Sequence, residues 1–407
     1  DAILAAAIAF ATWQLIAYIH QRKIIFLVGA ALGLAIGFCT KGHVGLVTPV
    51  AGIFFYILYK KDWRRLFDWH WLIVIFFFSL FISPVVYCYY LQFNLHPEKI
   101  SQGVKGVNGV KYILWSHSFD RISGHERFGA VGKEDHFFFL HTFLWTFAPW
   151  CFVAFVAVFI RLKNIVKRKE EWLSTGVFLL LALLINFSNF KLPHYLPILA
   201  PFTSVMVAHL FVSRWDNEKW RKAFYVLQVT ASVCLLLLAV LVNVWAFPVN
   251  DLLIVLGVIL LLTVVFYYVL SKSFSMIQKS ITISVSSIAL LFFLLNSNFY
   301  PRLLTYQGGK PLADLTRGIA NPKEVYFWKN TFSSSYNFYT ASLRQVYDDS
   351  LNNAGKKIWL IYNRSQQTEI EAAGFIFGKE FSVPDYEITR LKKKFVDPAT
   401  RKESLYE

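Results

Sequence analysis

Cationic and imidazole side chains crowd one set of connections in this 407-residue chain: Lys41, Arg121, Arg127, Lys133 and Lys191, with His43, His117, His125, His136, His141 and His194. Cations gathered at one boundary can hold a phosphate or pyrophosphate, arginine as a planar fork and lysine as a point charge. Two short stretches sharpen the idea. "CTKGHVGL" joins two apolar runs with almost no loop. Its Gly42 and Gly45 let the chain turn and let backbone N–H groups approach a ligand beside Lys41. "NFKLPHYLPILAPF" places Lys191, His194 and Tyr195 within a run that is otherwise apolar. Pro193 and Pro197 disfavour helical geometry in the residues before them and open the start of the next helix, whose N-terminal amides would face the same anion. A single lysine at a bilayer edge has a plainer reading, in which its stem lies along apolar surface and its head group snorkels to water.

The acids are fewer. Asp120, Glu126, Glu134 and Asp135 lie among histidines and arginines in segment 112–136, a mixture that can do general acid–base work or bind a divalent cation. His117, His125 and Glu126 are the candidate metal ligands, but their spacing matches no fixed pattern such as HExxH. No cofactor is therefore certain; a divalent metal cation is possible, and at most a modest dependence on one is expected. Asp1 stands immediately before the first apolar run, in "DAILAAAIAF". It suits a helix N-cap and equally a catalytic carboxylate, and the residues leave both open. Cys39, Cys88, Cys151 and Cys234 all fall in apolar runs without metal-binding spacing and read as packing residues.

These residues need a scaffold, and the composition supplies one. The chain is 56% apolar and only 16% charged, against about 25% charged in soluble domains, so the expected fold is an α-helical polytopic membrane protein. Ten apolar stretches approach bilayer-spanning length: 1–19, 24–40, 44–59, 69–91, 137–160, 172–188, 195–213, 223–247, 251–270 and 281–300. Alternate connections are basic ("HQRK", "KKDWRRLFD", "RLKNIVKRKEE", "RWDNEKWRK" and "SKSFSMIQKS"), which places them in the cytoplasm. That orientation accounts for much of the +16 net charge without nucleic acid as a partner. Every phosphate-binding candidate then lies on the outer side. The membrane domain is read as residues 1–300 and an outer-face α/β domain as 301–407. In the latter "KEVYFW", "LRQVYD", "KIWLIY" and "YEITRLKKKFV" read as strands and "QQTEIEAAGF" as a helix. Its "LKKKF" could touch anionic lipid or be a solvated charge run.

The stretches "DAILAAAIAF", "LGLAIGFCTKGHVGLVTPV", "HFFFLHTFLWTFAPW" and "NFKLPHYLPILAP" together resemble the polyprenyl-phosphate-dependent glycosyltransferases of the GT-C superfamily. The similarity is nearest to the protein mannosyltransferases that use dolichyl-phosphate-mannose and to the lipid A aminoarabinose transferases, and runs over roughly residues 1–205. It implies inverting transfer of a sugar from a polyprenyl-phosphate donor at the periplasmic side of a bacterial inner membrane. It also implies that the chain is truncated at its N-terminus, the general base lying in an upstream loop. By the same resemblance Asp1 is the family's second functional aspartate, and Lys41, Arg121, Lys191, His194 and Tyr195 line the donor-phosphate pocket. Two positions depart from the family pattern: His43 follows "TKG", and His117-Ser118 stands where an aligned Glu-His pair is found.

The function expected is therefore a membrane glycosyltransferase with a lipid, glycan or protein acceptor and with membrane lipids as surroundings. A flippase or transporter of lipid-linked saccharides, and an O-antigen ligase or polymerase, are the rivals. Transporters usually show internal repeats and polar residues near the bilayer midplane, whereas these spans are apolar at their centres.

Overall fold

The computed structural model describes residues 1–101, 104–116, 137–165, 167, 171–187, 192–318, 321, 324–329, 331–347, 357–389 and 391–405. Among them seven helices are long and apolar enough to cross a membrane, and the protein is an integral membrane protein. The chain gathers into two compact units, Asp1–Ala231 with Met276–Ser280, and Ser232–Ser275 with Ile281–Glu407.

The first unit opens with an antiparallel pair, α1 (Ala2–Gln21) and α2 (Ile24–Lys41), followed by α3 (Val44–Lys60) and α4 (Trp71–Tyr89). Small residues let α1 and α2 approach closely: Ala11, Ala30 and Ala31 are fully buried, and a Cβ on Gly33 would lie 3.0 Å from the Ala11 backbone nitrogen. Large side chains fill what remains, with Leu15, Tyr18, Leu27, Ile53, Ile57 and Val74 in one apolar cluster. Next come α5 (Phe138–Thr146), α6 (Cys151–Ile165) and α7 (Leu173–Phe187). A 3-10 segment, Pro193–Leu199, then leads into α8 (Ala200–Arg214), and α9 (Glu218–Val240) follows, its residues up to Ala231 belonging to this unit. The core of this half packs Leu4 and Ile8 of α1 against Phe143, Val153, Phe178 and Leu196.

One expected span is broken. Residues 137–160 form not a single crossing helix but α5 and α6, separated at residues 147–150 where Pro149 stands. Proline lacks the N–H of the helical ladder and its ring crowds the carbonyl of the preceding turn, which favours a kink or a break there. The span expected at 195–213 likewise begins as the 3-10 segment, because Pro193 and Pro197 remove its amides in turn.

Where α1 ends, Arg22 takes a left-handed conformation with φ 58° and donates to the Tyr18 hydroxyl at 2.9 Å. It also pairs with the Asp68 carboxylate, which accepts from Tyr18 at 3.0 Å and from the His70 backbone at 3.2 Å, and bonds the His70 ring at 2.6 Å. Arg65 is held by Asp62 at 2.6 Å and by the Ile19 carbonyl at 3.1 Å. The loop between α3 and α4 is thus a tied knot.

The second unit contains α10 (Leu252–Leu270) and most of α11 (Met276–Leu294). Two helical ends here are wide π turns, Leu241–Ala246 and Leu295–Phe299. They are joined by Asn298, which donates to the Asn243 side chain at 3.0 Å and to the Phe247 carbonyl at 2.7 Å. Such amide pairs satisfy each other where water is scarce. Arg401 of the tail lies 4.1 Å over the Phe247 ring and donates to the Ala246 carbonyl at 2.6 Å.

The tail is α/β, as expected, though with less strand. β1 (Val325–Phe327) and β2 (Trp359–Ile361) pair in parallel, Val325 opposite Trp359. Segment "LRQVYD" contributes a single bridge from Val346 to Phe327, and Gln367–Ala372 is helical behind an Asn363 capping box. Among the described residues of segment 386–396 there is no strand. Its Tyr386 stacks on its own Phe395 at 3.7 Å, whereas a strand would hold residues nine apart about 30 Å from each other. The stacking folds the run back on itself and leaves Lys393–Val396 as a helical turn.

The Asp68 knot carries a pH signature. Burial pushes its carboxyl pKa up, but the bonds from Arg22, His70 and Tyr18 outweigh that and hold it well below the usual carboxylate range. A depressed folded pKa means the stabilisation is fully present above the ordinary value of about 3.9 and is lost progressively as pH falls below it towards the folded value. The thermal midpoint of the wild type in neutral detergent should therefore drop as pH falls from about 5 to 3. Asp68→Asn should cost about 1.5–3 kcal/mol at neutral pH, as for hydrogen bonds to a charged group, and blunt the acid drop. An unchanged acid profile in Asp68→Asn would contradict this assignment.

Candidate donor-phosphate site

Three separated pieces of sequence meet at one end of the first unit. They are the start of α1, the α2–α3 turn, and the Pro193–Leu199 segment. Antiparallel packing of α1 against α2 brings residue 1 beside residue 41, and the first and third pieces pack directly together.

The turn forms because two backbones touch. Gly42 ends α2 with φ 63° and ψ −141°, a conformation side chains resist, and Gly45 then lies directly against Gly37. A Cβ on Gly45 would sit 2.3 Å from the Gly37 carbonyl carbon. This contact sets where the last turn of α2, and so Lys41, must be.

Lys41 reaches sideways rather than to open water. Its Nζ donates to Asp1 Oδ1 at 2.5 Å and lies 4.0 Å from the centre of the Tyr195 ring. His194 Nε2 is 3.9 Å from the other Asp1 oxygen, and its ring meets Tyr195 edge-on at 4.8 Å. The two charges are mostly sheltered, with the Lys41 side chain 18% exposed and Asp1 19%, whereas His194 is 54% exposed. Helix ends favour the arrangement, since Lys41 sits at the carbonyl end of α2 and Asp1 at the amide end of α1. Leu192 is extended, as a residue before proline should be, and the 3-10 segment that carries His194 and Tyr195 starts directly after it.

The geometry decides one of the open readings. Asp1 occupies the N-cap position of α1, but its side chain caps no amide; the carboxylate goes to Lys41 instead. The Lys41 head group likewise meets Asp1 and the Tyr195 ring. His43 packs edge-on to Phe38 at 5.6 Å and Trp115 at 6.3 Å, and burial pushes its pKa below the usual histidine value. That aromatic pocket was not visible in the sequence, although "YILWS" offers the tryptophan that closes it.

Asp1, Lys41, His194 and Tyr195 are thus brought together. Arg121 and Lys191, and the candidate metal ligands His117, His125 and Glu126, lie outside the described residues. Among the described residues no three His, Cys, Asp or Glu side chains are gathered as a metal ion would need.

Substituting Gly45 tests what positions Lys41. Gly45→Ala should lower the thermal midpoint by the equivalent of about 1–3 kcal/mol, because backbone stands in the way of its Cβ. Gly52→Ala is the control, since its Cβ would meet the Val177 side chain at 3.3 Å and that side chain can shift. Equal midpoints for the two variants would contradict the close backbone contact.

Solved structures with this fold include ArnT from Cupriavidus metallidurans bound to undecaprenyl phosphate, with a TM-score of 0.60 and 14% identity over 91% of this chain and 70% of that one. ArnT in the apo state gives 0.59 and 13% identity over the same shares. No protein-family model and no curated protein matches the chain. At such identity the likeness is one of architecture: the chain has an ArnT-like fold.

Proposed function

We propose that the protein is a membrane glycosyltransferase that moves a sugar from a polyprenyl-phosphate donor to a lipid, glycan or protein acceptor. The single observation that carries this reading is the meeting of Asp1, Lys41, His194 and Tyr195 from three segments of a GT-C fold. The undecaprenyl phosphate bound by the ArnT structure supports a donor of that chemistry. The basic loops "HQRK" and "KKDWRRLFD" leave from the opposite helix ends, which supports a periplasmic site in a bacterial inner membrane.

In this proposal the Lys41–Asp1 pair is a placeholder for the donor. An arriving phosphate competes with the Asp1 carboxylate for the ammonium, while Tyr195 keeps the cation in place through its ring face. As the bond from the anomeric carbon to the phosphate oxygen breaks, both electrons stay with the phosphate and its negative charge grows. Lys41, with His194 donating beside it, then binds the transition state more tightly than the ground state. The acceptor oxygen attacks from the opposite face of the sugar, which inverts the anomeric centre, and its proton passes to a base on that face. Asp1 lies on the phosphate side, so it aligns Lys41 and His194 for the donor. Arg121 and Lys191 are proposed as further phosphate ligands by the same electrostatic logic.

Lys41→Met keeps the stem and removes the charge. Transfer of labelled sugar from polyprenyl phosphate, per folded protein, should fall about a hundred- to a thousand-fold, the loss typical of one donor to a developing oxyanion. Activity within about threefold of wild type would contradict the role given to Lys41. Movement of intact donor across the bilayer without sugar release would replace the transferase reading with a transporter.

A further inference from the structure

The end of α1 farthest from Asp1 carries a second concentration of charge. Residues 22–23 and 60–70 hold six cations, Arg22, Lys23, Lys60, Lys61, Arg64 and Arg65, against the carboxylates Asp62 and Asp68. Orientation alone selects basic residues in a cytoplasmic loop, so their number needs no ligand to explain it. A concave surface is a different matter, and an open cleft of about 360 Å³ lies here between Arg22, Arg64, Arg65, Trp69 and His70.

The two acids on its wall are committed elsewhere. Asp68 is taken by Arg22, Tyr18 and His70, and Asp62 by Arg65. The Trp71 indole donates to the Arg65 carbonyl at 2.7 Å and fixes the wall from behind. Arg64 is exposed and makes no hydrogen bond or ion pair among the described residues. Beside this guanidinium stand three large rings that face outward, Trp63 at 53% exposure, Phe67 at 88% and Trp69 at 65%. Trp69 is braced by stacking on His70 at 4.1 Å. A cationic pocket with an apolar rim matches an amphiphile: a phosphate for the pocket and acyl chain for the rings.

We propose that this cleft binds the phosphate of an anionic phospholipid in the leaflet opposite the donor site, with Arg64 as its principal ligand. Trp63, Phe67 and Trp69 enter the boundary between head groups and acyl chains around it. The rings favour a lipid over a free phosphate ion, because an ion would gain nothing from them. The binding orders the α3–α4 loop against the bilayer and takes no part in sugar transfer.

The test uses the full chain in neutral detergent, with thermal unfolding followed against added dihexanoyl-phosphatidylglycerol, dihexanoyl-phosphatidylcholine or inorganic phosphate. Phosphatidylglycerol should protect the wild type, and the other two should not at matched concentration. Arg64→Gln should need about fivefold more phosphatidylglycerol for the same shift, the worth of one cation at an anionic surface, and Arg64→Lys should recover most of it. Lys41→Met should respond as the wild type does, which separates this site from the donor site. Equal protection of wild type and Arg64→Gln would overturn the proposal, and so would protection by phosphatidylcholine. Protection by inorganic phosphate would make the ligand a soluble anion and overturn it too, and its loss in Lys41→Met would move the effect to the donor site.

Discussion

The ion pair between Asp1 and Lys41 is the constraint on which the site depends. A charge sheltered from water is costly unless matched, and these two groups match each other across the ends of two antiparallel helices. Helix polarity reinforces the pairing, because antiparallel helices set the amide end of one beside the carbonyl end of the other. The pair also explains why the α2–α3 turn must be tight. Were Gly45 to stand away from Gly37, the last turn of α2 would tilt and Lys41 would lose both the carboxylate and the Tyr195 ring.

The two ends of α1 show contrasting uses of the same chemistry. At the Asp68 end the carboxylate is surrounded by guanidinium, hydroxyl, imidazole and amide donors, so that nothing readily displaces it. At the Asp1 end one oxygen meets Lys41 closely and the other is 3.9 Å from His194, too far for a hydrogen bond. The first arrangement holds a loop; the second can exchange partners when another anion arrives. A binding site needs that looseness, and a structural knot does not.

Much of this was legible in the sequence. Helix length is set by bilayer thickness, so apolar runs such as 251–270 declared themselves within a residue or two of α10. Asp1, Lys41, His194 and Tyr195 stood out because polar groups at an apolar boundary need a reason. Their mutual distances did not, since residue 1 meets residue 41 and residue 195 only through packing. The break at Pro149 was hidden by the aromatic run around it, which keeps hydropathy high across the interruption. Segment 386–396 differed for another reason: its residue types suggested a strand, and the stack of Tyr386 on Phe395 within the segment overrode it. The Asn243–Asn298 tie was invisible, because an asparagine in a span gives no sign of its partner.

The account stands on whether Lys41 changes partner when a polyprenyl phosphate binds, and a structure of the full chain in a nanodisc with that lipid phosphate answers it most directly. The account predicts a phosphate oxygen at about 2.7–2.9 Å from Lys41 Nζ, as in a charge-assisted bond, with Asp1 drawn away and His194 turned towards the phosphate. A phosphate bound elsewhere, with Lys41 still 2.5 Å from Asp1, would contradict it.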